Sequence, residues 1–368
     1  MTVPILDLKA QYATIKDEIQ AAVNSVLENQ HFILGPEVKA LEKEIAGYCG
    51  TKYAVGVASG TDALILGLKA CGIGSGDEVI VPSFSFIATA DCVSLLGGTP
   101  IFADIQPDTY NIDPSKIEAL ITPKTKAIIP VHLYGQSADM DPILALARKH
   151  NLKVLEDTAQ AIGATYKGRR VAGLGDLGCI SFFPSKNLGG YGDGGMVVTN
   201  SEEIYRHLIS LRAHGSTKKY FSEEQGWNSR LDELQAGILR VKLRYLDQWS
   251  SNRRKVADSY DALLKGMPGV VTPVRNGFGA HVFHQYTVRV PNRDAVQKQL
   301  AALGVTTMVY YPTPMHQQTI YESLGYSEGS LPVSEAACRQ VLSLPMFPEL
   351  QPEQIEYVVQ SLLQALEG

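Results

Sequence analysis

The sequence SFFPSKNLGGYGDGG occupies residues 181–195 and combines a short apolar strand, a lysine and five glycines. Lysine carries a strongly hydrated charge, so Lys186 directly after a buried strand suggests a use for its amine. One such use is a Schiff base, which a lysine of lowered pKa forms with an aldehyde or ketone. The glycines would let the backbone approach a bound ligand closely. A simple glycine-rich loop with an exposed lysine is the alternative.

Upstream of this segment, short apolar strands alternate with helical patterns, and two amphipathic helices come first. Strands separated by helices indicate βαβ crossovers and a mostly parallel sheet with helices on both faces. From the periodicity of apolar residues, we predict helices at 11–29, 38–48, 63–71, 86–96 and 142–150, and strands at 54–58, 78–82, 100–103, 126–131 and 152–156.

The regular alternation of strand and helix patterns ends after residue 200. A long helical pattern covers residues 229–264, and a mixture of strands and helices follows, with strands expected at 285–290 and 305–310 and helices at 294–303 and 352–366. We therefore expect an α/β fold with two domains. Residues 1–250 would form the large domain, including an N-terminal helical arm at 1–30, and residues 251–368 a smaller α+β domain.

Composition excludes several classes of function. A net charge of −5, with lysine and arginine scattered along the 368 residues, gives no basis for binding nucleic acid or an anionic membrane. The five cysteines lie far apart without a C-x-x-C pair, so we predict neither disulfides nor a metal site. Residues 1–9 do not resemble a signal peptide, and no apolar run is long enough to span a bilayer. We expect a cytoplasmic protein.

Residues 59–62, Ser-Gly-Thr-Asp, join a predicted strand to a predicted helix. At the carboxyl end of a strand in an open α/β sheet, such a turn is where ligands bind. Its backbone N–H groups and the Thr61 hydroxyl could hold a phosphate at the helix N-terminus. Alternatively, Ser59 or Thr61 caps the helix.

The segment EDTAQ, residues 156–160, directly follows another apolar strand. A carboxylate there, Asp157, could hold a positive charge such as a protonated pyridine nitrogen, and Gln160 could hydrogen-bond an oxygen of the same ligand. The alternative is an aspartate that caps a short helix. An aldehyde-bearing pyridine phosphate would use the turn at 59–62, Asp157 and Lys186 together.

One glycine motif points elsewhere. GLGDLG, residues 173–178, matches the dinucleotide fingerprint G-x-G-x-x-G. That fingerprint must follow a strand and open a helix, whereas this copy leads into the apolar strand predicted at 179–183. A nicotinamide-dependent dehydrogenase is therefore disfavoured.

Six segments resemble the DegT/DnrJ/StrS family of nucleotide-sugar aminotransferases, and they occur in the family's order across nearly the whole chain. These are SGTDAL (59–64), VPSFSFIATA (81–90), PVHLYG (130–135), EDTAQAIGA (156–164), SFFPSKNLGGYGDGGMVVTN (181–200) and NSRLDELQA (228–236). The resemblance implies the fold type I, aspartate-aminotransferase-like architecture. In it, a mostly parallel sheet of the seven-stranded type lies between helices beside a smaller C-terminal α+β domain.

The resemblance also implies a cofactor, pyridoxal 5′-phosphate (PLP), which cycles through pyridoxamine phosphate (PMP). Lys186 matches the catalytic lysine that bonds to the PLP aldehyde, and Asp157 matches the partner of the pyridine nitrogen. Asn228 matches a residue that the other subunit donates to the phosphate, so a homodimer with shared active sites is implied. The remaining cofactor contacts implied are Gln160 at the ring hydroxyl, Phe86 stacked on the ring, and Gly60, Thr61 and Ser181 at the phosphate. Core packing is the alternative role for Phe86.

The implied reaction is transamination, because relatives that perform dehydration carry histidine in place of Lys186. By family habit the amino donor is L-glutamate, and the acceptor is a nucleotide-linked keto sugar, carried by dTDP or UDP. Residues 228–243, 284–290 and 310–326 look more like the members of the family that aminate C3 of a hexose than those that aminate C4. Amination at C4 and a non-catalytic PLP-binding relative are the alternatives.

Four further residues are candidates for the substrate side of the site: Arg230, Tyr310, His316 and Tyr321. Each also has an ordinary structural interpretation, a salt bridge for Arg230 and packing for the others. The run VYYPTP, residues 309–314, departs from the more usual HYP-type run of the family, so the sequence leaves the sugar open.

Overall fold

The computed structural model describes residues 1–218 and 220–367. The strands are β1 (Tyr53–Val57), β2 (Glu78–Pro82), β3 (Thr99–Ala103), β4 (Thr125–Ile128), β5 (Lys153–Asp157), β6 (Thr165–Tyr166), β7 (Arg169–Arg170), β8 (Leu177–Ser181), β9 (Gly195–Thr199), β10 (Ser216–Lys218), β11 (Phe221–Ser222), β12 (Tyr286–Arg289) and β13 (Val341–Leu344). The helices are α1 (Leu8–Asn29), α2 (Pro36–Cys49), α3 (Gly60–Ala70), α4 (Ala88–Leu95), α5 (Pro114–Ile117), α6 (Met140–His150), α7 (Glu202–Leu211), α8 (Glu233–Leu243), α9 (Leu246–Leu264), α10 (Arg293–Ala302), α11 (Pro332–Gln340) and α12 (Pro352–Glu367).

A seven-stranded sheet forms the centre of the fold, in the order β1-β9-β8-β5-β4-β2-β3. The pairings from β8 to β3 are parallel, whereas β9 runs antiparallel to both β1 and β8. This confirms the predicted mostly parallel sheet. In such a sheet the side chains on both faces are buried by helices, which accounts for the nearly continuous apolar sequences of the central strands.

The register of the sheet sets the position of the glycine-rich loop. Ser181 pairs with Gly195, so residues 182–194 leave the sheet and return to it at the carboxyl end of β8. The neighbouring strand β5 ends at Asp157, which pairs with Cys179 of β8. Lys186 and Asp157 therefore lie at the same edge of the sheet, where open α/β sheets bind ligands.

A second apolar core lies in the C-terminal part of the chain. It contains Tyr260 of α9, Tyr286 of β12 and Leu342 of β13, with residues of α10 and α12 around them. Val3, near the N-terminus, packs into this same core. A boundary at residue 250 falls inside α9, and the division into residues 1–250 and 251–368 stays a prediction.

Two predicted elements were wrong. The strand expected at 305–310 is absent, because Val305 and Met308 make only isolated bridges to Val3 and Ser343, while β12 pairs with β13 instead. The long helix expected over 229–264 is two helices. The break at Tyr245 (φ −101°, ψ −8°) separates α8 from α9, and Trp249 beyond it packs against α1. Apolar periodicity does not register such a break, because both helices keep the same spacing.

In the described part of the chain, every helix is too short or too polar to cross a bilayer.

Candidate active site

A cavity of about 480 Å³ opens at the carboxyl ends of β5 and β8. Its walls come from the turn before α3, the segment before α4, the end of β5, the glycine-rich loop and residues 284–285 and 310–311. The residues predicted from the sequence that line it are Gly60, Thr61, Phe86, Asp157, Gln160, Ser181, Lys186 and Tyr310. Segments far apart in the sequence thus meet around one cavity.

Lys186 sits in a tight turn that begins at the end of β8. Its backbone N–H donates to the carbonyl of Phe183 at 2.8 Å. Gly189 completes the turn, since a Cβ there would lie 2.3 Å from the carbonyl oxygen of Pro184. Burial lowers the pKa of the Lys186 amine to about 8, and the charge of Asp157 offsets part of this effect. A larger share of neutral amine is therefore present near neutral pH than on an exposed lysine.

Asp157 is the last residue of β5 and is buried. One carboxylate oxygen accepts from the Thr89 hydroxyl at 2.9 Å, and the other accepts from the Ala159 backbone N–H at 3.1 Å. Burial raises the pKa of this carboxyl, against the effects of those hydrogen bonds and of Lys186. The residues that follow form turns rather than a helix. The helix-cap alternative is therefore wrong, although Asp157 does close a turn.

A hydrogen bond to the side-chain carbonyl of Gln160 fixes the orientation of its amide. The backbone N–H of Tyr134 donates to Gln160 Oε1 at 2.8 Å, which directs the amide nitrogen the other way. That nitrogen, Nε2, lies 3.0 Å from the hydroxyl of Tyr311 in the cavity wall. Gln160 therefore presents a donor on the same side of the cavity as Asp157.

The start of α3 combines a helix cap with a close approach to Ser181. Ser59 is the N-cap and accepts from the Asp62 backbone N–H at 3.0 Å, so the capping alternative is realised at Ser59. Thr61 remains free to line the cavity. A Cβ on Gly60 would lie 2.6 Å from Cβ of Ser181. Because only glycine fits there, the helix N-terminus and the Ser181 hydroxyl can face one anion together.

Phe86 precedes α4 and lines the cavity instead of packing in the core. Its side chain is 55% exposed in this chain, and its ring centroid lies 6.3 Å from that of Tyr311. The core-packing alternative is therefore wrong for Phe86. The predicted helix at 86–96 begins later, at Ala88, which leaves Phe86 outside the helix and over the cavity.

Asn228 and Arg230 do not line the cavity. Asn228 is exposed, and the residue between them anchors the segment. Ser229 accepts from the Ala58 backbone N–H at 3.1 Å and donates to Asp62 at 2.6 Å. The segment is thus fixed against the start of α3, with Asn228 facing outward.

His316 and Tyr321 were wrongly expected at the substrate side. They are 1% and 4% exposed, which leaves them no surface for a ligand. His316 Nε2 lies 3.3 Å from a Glu335 carboxylate oxygen, and the Tyr321 hydroxyl donates to Asp91 at 2.8 Å. Both side chains hold the segment 315–326 against the large sheet, so packing is their role.

His284 and Tyr311 are among the cavity residues that the sequence analysis missed. His284 lies 3.2 Å from the side-chain oxygen of Asn187, and burial lowers its pKa well below the ordinary value, so the imidazole is neutral. His284 stands one residue before a predicted strand, and Tyr311 one residue after another. His284 precedes its strand and does not lie at the carboxyl end where ligands are expected, and residues 305–310 do not form a strand. Neither position therefore indicated a ligand contact.

The glycine motif at 173–178 binds a carboxylate of its own chain. The backbone N–H groups of Leu174 and Gly175 donate to one oxygen of buried Glu156 at 2.6 and 2.7 Å. His132 donates to the other oxygen at 2.9 Å, since its second ring nitrogen accepts from Ala138. The loop therefore has a structural role, and the sequence argument against a dinucleotide site agrees with its contacts.

The mostly parallel sheet between helices matches the structures of fold type I aminotransferases. Residues 13–363 match the model of the DegT/DnrJ/EryC1/StrS aminotransferase family. The chain belongs to this family.

Three curated relatives match almost from end to end. The "Pleiotropic regulatory protein" of Geobacillus stearothermophilus is 52% identical over 98% of both chains. The UDP-N-acetyl-3-dehydro-alpha-D-glucosamine 3-aminotransferase of Acidithiobacillus ferrooxidans is 49% identical over 100% of this chain and 98% of its own. The dTDP-3-amino-3,4,6-trideoxy-alpha-D-glucose transaminase of Streptomyces venezuelae is 46% identical over 98% and 95%.

Two solved structures superpose on this fold over the full length of the chain. DesV of S. venezuelae, in complex with a ketimine intermediate, superposes with a TM-score of 0.97 at 46% identity, covering 100% of this chain and 99% of that one. NtdA of Bacillus subtilis, with bound cofactor PMP, has a TM-score of 0.93 at 35% identity, covering 100% and 86%.

A comparison of Phe86 with Phe84 tests whether Phe86 lines the cavity or packs in the core. In protein without added ligand, Phe86→Ala should change the free energy of unfolding by less than about 1 kcal/mol, because the ring is already half exposed. Phe84→Ala is the matched comparison, since Phe84 is fully buried, and it should cost about 3–5 kcal/mol. Urea unfolding followed by circular dichroism measures both. A cost for Phe86→Ala as large as that for Phe84→Ala would place Phe86 in the core.

Proposed function

We propose that this protein is a PLP-dependent aminotransferase that transfers an amino group from L-glutamate to a nucleotide-linked 3-keto sugar. The observation that carries the proposal is the pairing of Lys186, whose amine has a pKa near 8, with buried Asp157 in one cavity. The relatives named as 3-aminotransferase and transaminase support the reaction, and NtdA with bound PMP supports the cofactor.

The residues present fit PLP at three points. The start of α3, with Thr61 and Ser181, offers N–H and hydroxyl donors to a phosphate, and the close approach at Gly60 leaves no side chain in the way. Asp157 suits a protonated ring nitrogen, and the exposed face of Phe86 suits a flat ring. When bound, PLP supplies an aldehyde that bonds to amines and a protonated ring that accepts electrons.

Lys186 acts first as a neutral amine and then as a proton carrier. Its lowered pKa lets it exist in both protonation states near neutral pH, which a group that takes up and returns a proton requires. Released from the aldehyde, it would move the proton between the amino-bearing carbon of the donor and the cofactor. A positioned group of this kind contributes about 10²–10⁴-fold to the rate.

Asp157 would hold the ring nitrogen of bound PLP in its protonated form. Its own pKa is raised by burial, so an adjacent positive charge would stabilise its anionic form. The hydrogen bonds from Thr89 and from the Ala159 backbone fix both oxygens. Asp157 can therefore hold the pyridine nitrogen without turning away from it, while Gln160 donates to the ring hydroxyl.

The sugar acceptor would enter where Tyr310 lines the cavity, with Arg230 as a further candidate contact from the segment 228–230. Amination at C3 is favoured by the names of the relatives in Acidithiobacillus and Streptomyces. One of these names a UDP sugar and the other a dTDP sugar, so the proposal extends to either nucleotide. A cytoplasmic location follows from the substrates proposed.

The active form proposed is a homodimer with shared sites. Asn228 is exposed and lies outside the cavity of its own subunit, and Ser229 beside it is anchored to the start of α3. An outward-facing asparagine on a fixed segment is well placed to reach a neighbouring subunit's phosphate site. Such a shared site would require an extensive and stable interface.

The uptake of PLP should depend on pH through Lys186. Since only the neutral amine attacks the aldehyde, the rate should rise with pH up to about 8 and level off above it. Stopped-flow measurement of the visible absorbance band from pH 6 to 10 gives the profile. Lys186→Ala should form no band that borohydride removes. A wild-type protein that forms no such band with added PLP would refute the catalytic proposal.

The position of the new amine tests the substrate. Incubation of the PLP-loaded enzyme with L-glutamate and a panel of UDP- and dTDP-linked 3-keto and 4-keto sugars should yield a product from a 3-keto sugar, with the amine at C3 by NMR. A product aminated at C4, from a 4-keto sugar alone, would contradict this part of the proposal.

Mixed dimers test the shared site. Lys186→Ala and Asn228→Ala proteins are each expected to be impaired, but a dimer containing one of each would hold one site with both native residues. Random mixing would restore about a quarter of all sites. If Asn228 served its own subunit, mixing would restore none, and the activity would equal the average of the two variants.

A further inference from the structure

The hydroxyl of Tyr311 lies in the cavity wall with only one of its hydrogen-bonding positions used. Gln160 Nε2 lies 3.0 Å from it. Because the Gln160 carbonyl is already occupied by the Tyr134 backbone N–H at 2.8 Å, the amide nitrogen must be the group that faces Tyr311. The phenol oxygen is thus the acceptor, and its own hydrogen remains available.

That hydrogen has no partner in the described part of the chain. Across residues 1–218 and 220–367, no hydrogen bond is formed in which the Tyr311 hydroxyl is the donor. Because Tyr311 lines the cavity, a ligand bound there could accept this hydrogen. The acceptor would lie beside Gln160, because the hydroxyl and the amide are 3.0 Å apart in the cavity wall.

Neighbouring rings keep the phenol in place. The Tyr311 ring contacts Phe84 edge-on, with centroids 6.0 Å apart, and Tyr310 and Phe86 at 5.8 and 6.3 Å. Phe84 is fully buried and cannot move aside without disturbing the core. The ring contacts therefore hold the hydroxyl at the cavity wall, beside Gln160.

The charges around the cavity keep the phenol protonated. Burial raises the pKa of Tyr311 well above the ordinary value, and the charge of Asp157 raises it further. The other titratable side chains that line the cavity are Lys186, Asp193, His284 and Tyr310. Tyr311 is thus a neutral donor throughout the working pH range, and any acceptor that carries negative charge gains from it.

We propose that Tyr311 donates its phenolic hydrogen to the ring oxygen of bound PLP, next to the amide of Gln160. The inference rests on the proposed function, since it assigns a second donor to the same cofactor oxygen. Two donors would draw negative charge from that oxygen. The oxygen would then attract less strongly the proton on the Lys186 nitrogen that is bonded to PLP. The pKa of that nitrogen would therefore be lower than with one donor.

Tyr311→Phe removes the oxygen and leaves the ring packing intact. In the PLP-loaded variant, a spectrophotometric titration should show the pKa of the lysine-linked chromophore raised by about one unit. The PLP dissociation constant should rise about fivefold or more, as expected for the loss of one hydrogen bond. Tyr260→Phe is the matched control, because it also removes a buried hydroxyl, bonded to the Pro345 carbonyl at 3.0 Å in the second core. It should change neither value.

A second variant shows whether Tyr311 donates directly to the cofactor oxygen or only orients the amide of Gln160. Gln160→Met keeps the length of the side chain and removes its donor. If Tyr311 donates directly, the pair Gln160→Met and Tyr311→Phe should shift the chromophore pKa beyond either single change. If the pair equals Gln160→Met alone, Tyr311 only orients the amide and the inference is overturned.

Two further outcomes are distinct. A wild-type spectrum with a borohydride-sensitive band, together with an unchanged pKa and dissociation constant in Tyr311→Phe, would overturn this inference and leave the proposed function standing. A wild-type protein without that band would remove the proposed function and this inference with it. Circular dichroism confirms that each variant is folded.

Discussion

The burial of Lys186 and Asp157 at the same edge of the sheet is the constraint on which the site depends. Removal from water favours the neutral form of each group, which lowers the pKa of the amine to about 8 and raises that of the carboxyl. Their mutual attraction offsets part of this cost but does not cancel it. The pair is therefore prepared for a ligand that bonds to a neutral amine and brings a positive charge to the carboxylate.

The rest of the fold serves to hold this pair in place. Helix α8 supports the glycine-rich loop from beneath, since Lys242 donates to the Gly189 carbonyl and Gln235 accepts from the Tyr191 backbone N–H at 2.8 Å. A Cβ on Gly190 would lie 2.8 Å from the Gln235 side chain. Glycine is needed in this loop for close contact with the helix, and the loop is a packed support for Lys186.

Much of this arrangement could be predicted because it follows from local rules. Alternating strands and helices fixed the parallel sheet, and polar residues at strand ends identified Asp157, Gln160 and Lys186. The predictions that were wrong concern residues whose positions depend on partners far away in the sequence. Residues 305–310 have a strand-like sequence, yet β13 takes the pairing position beside β12. His316 and Tyr321 looked suited to a ligand, but Glu335 and Asp91 occupy their polar atoms inside the core. Tyr311 was missed because only the orientation of Gln160 shows its purpose.

Peptide mapping by mass spectrometry, after borohydride reduction of the PLP-loaded protein, tests the central claim most directly. Burial also lowers the pKa of Lys242 to about 8, yet Lys242 lies outside the lining of the cavity. A lowered pKa by itself would label both lysines, whereas the combination of a lowered pKa with the cavity at β5 and β8 predicts the phosphopyridoxyl group on Lys186 alone. A label on Lys242, or one spread over surface lysines with Lys186 unmodified, would contradict the account.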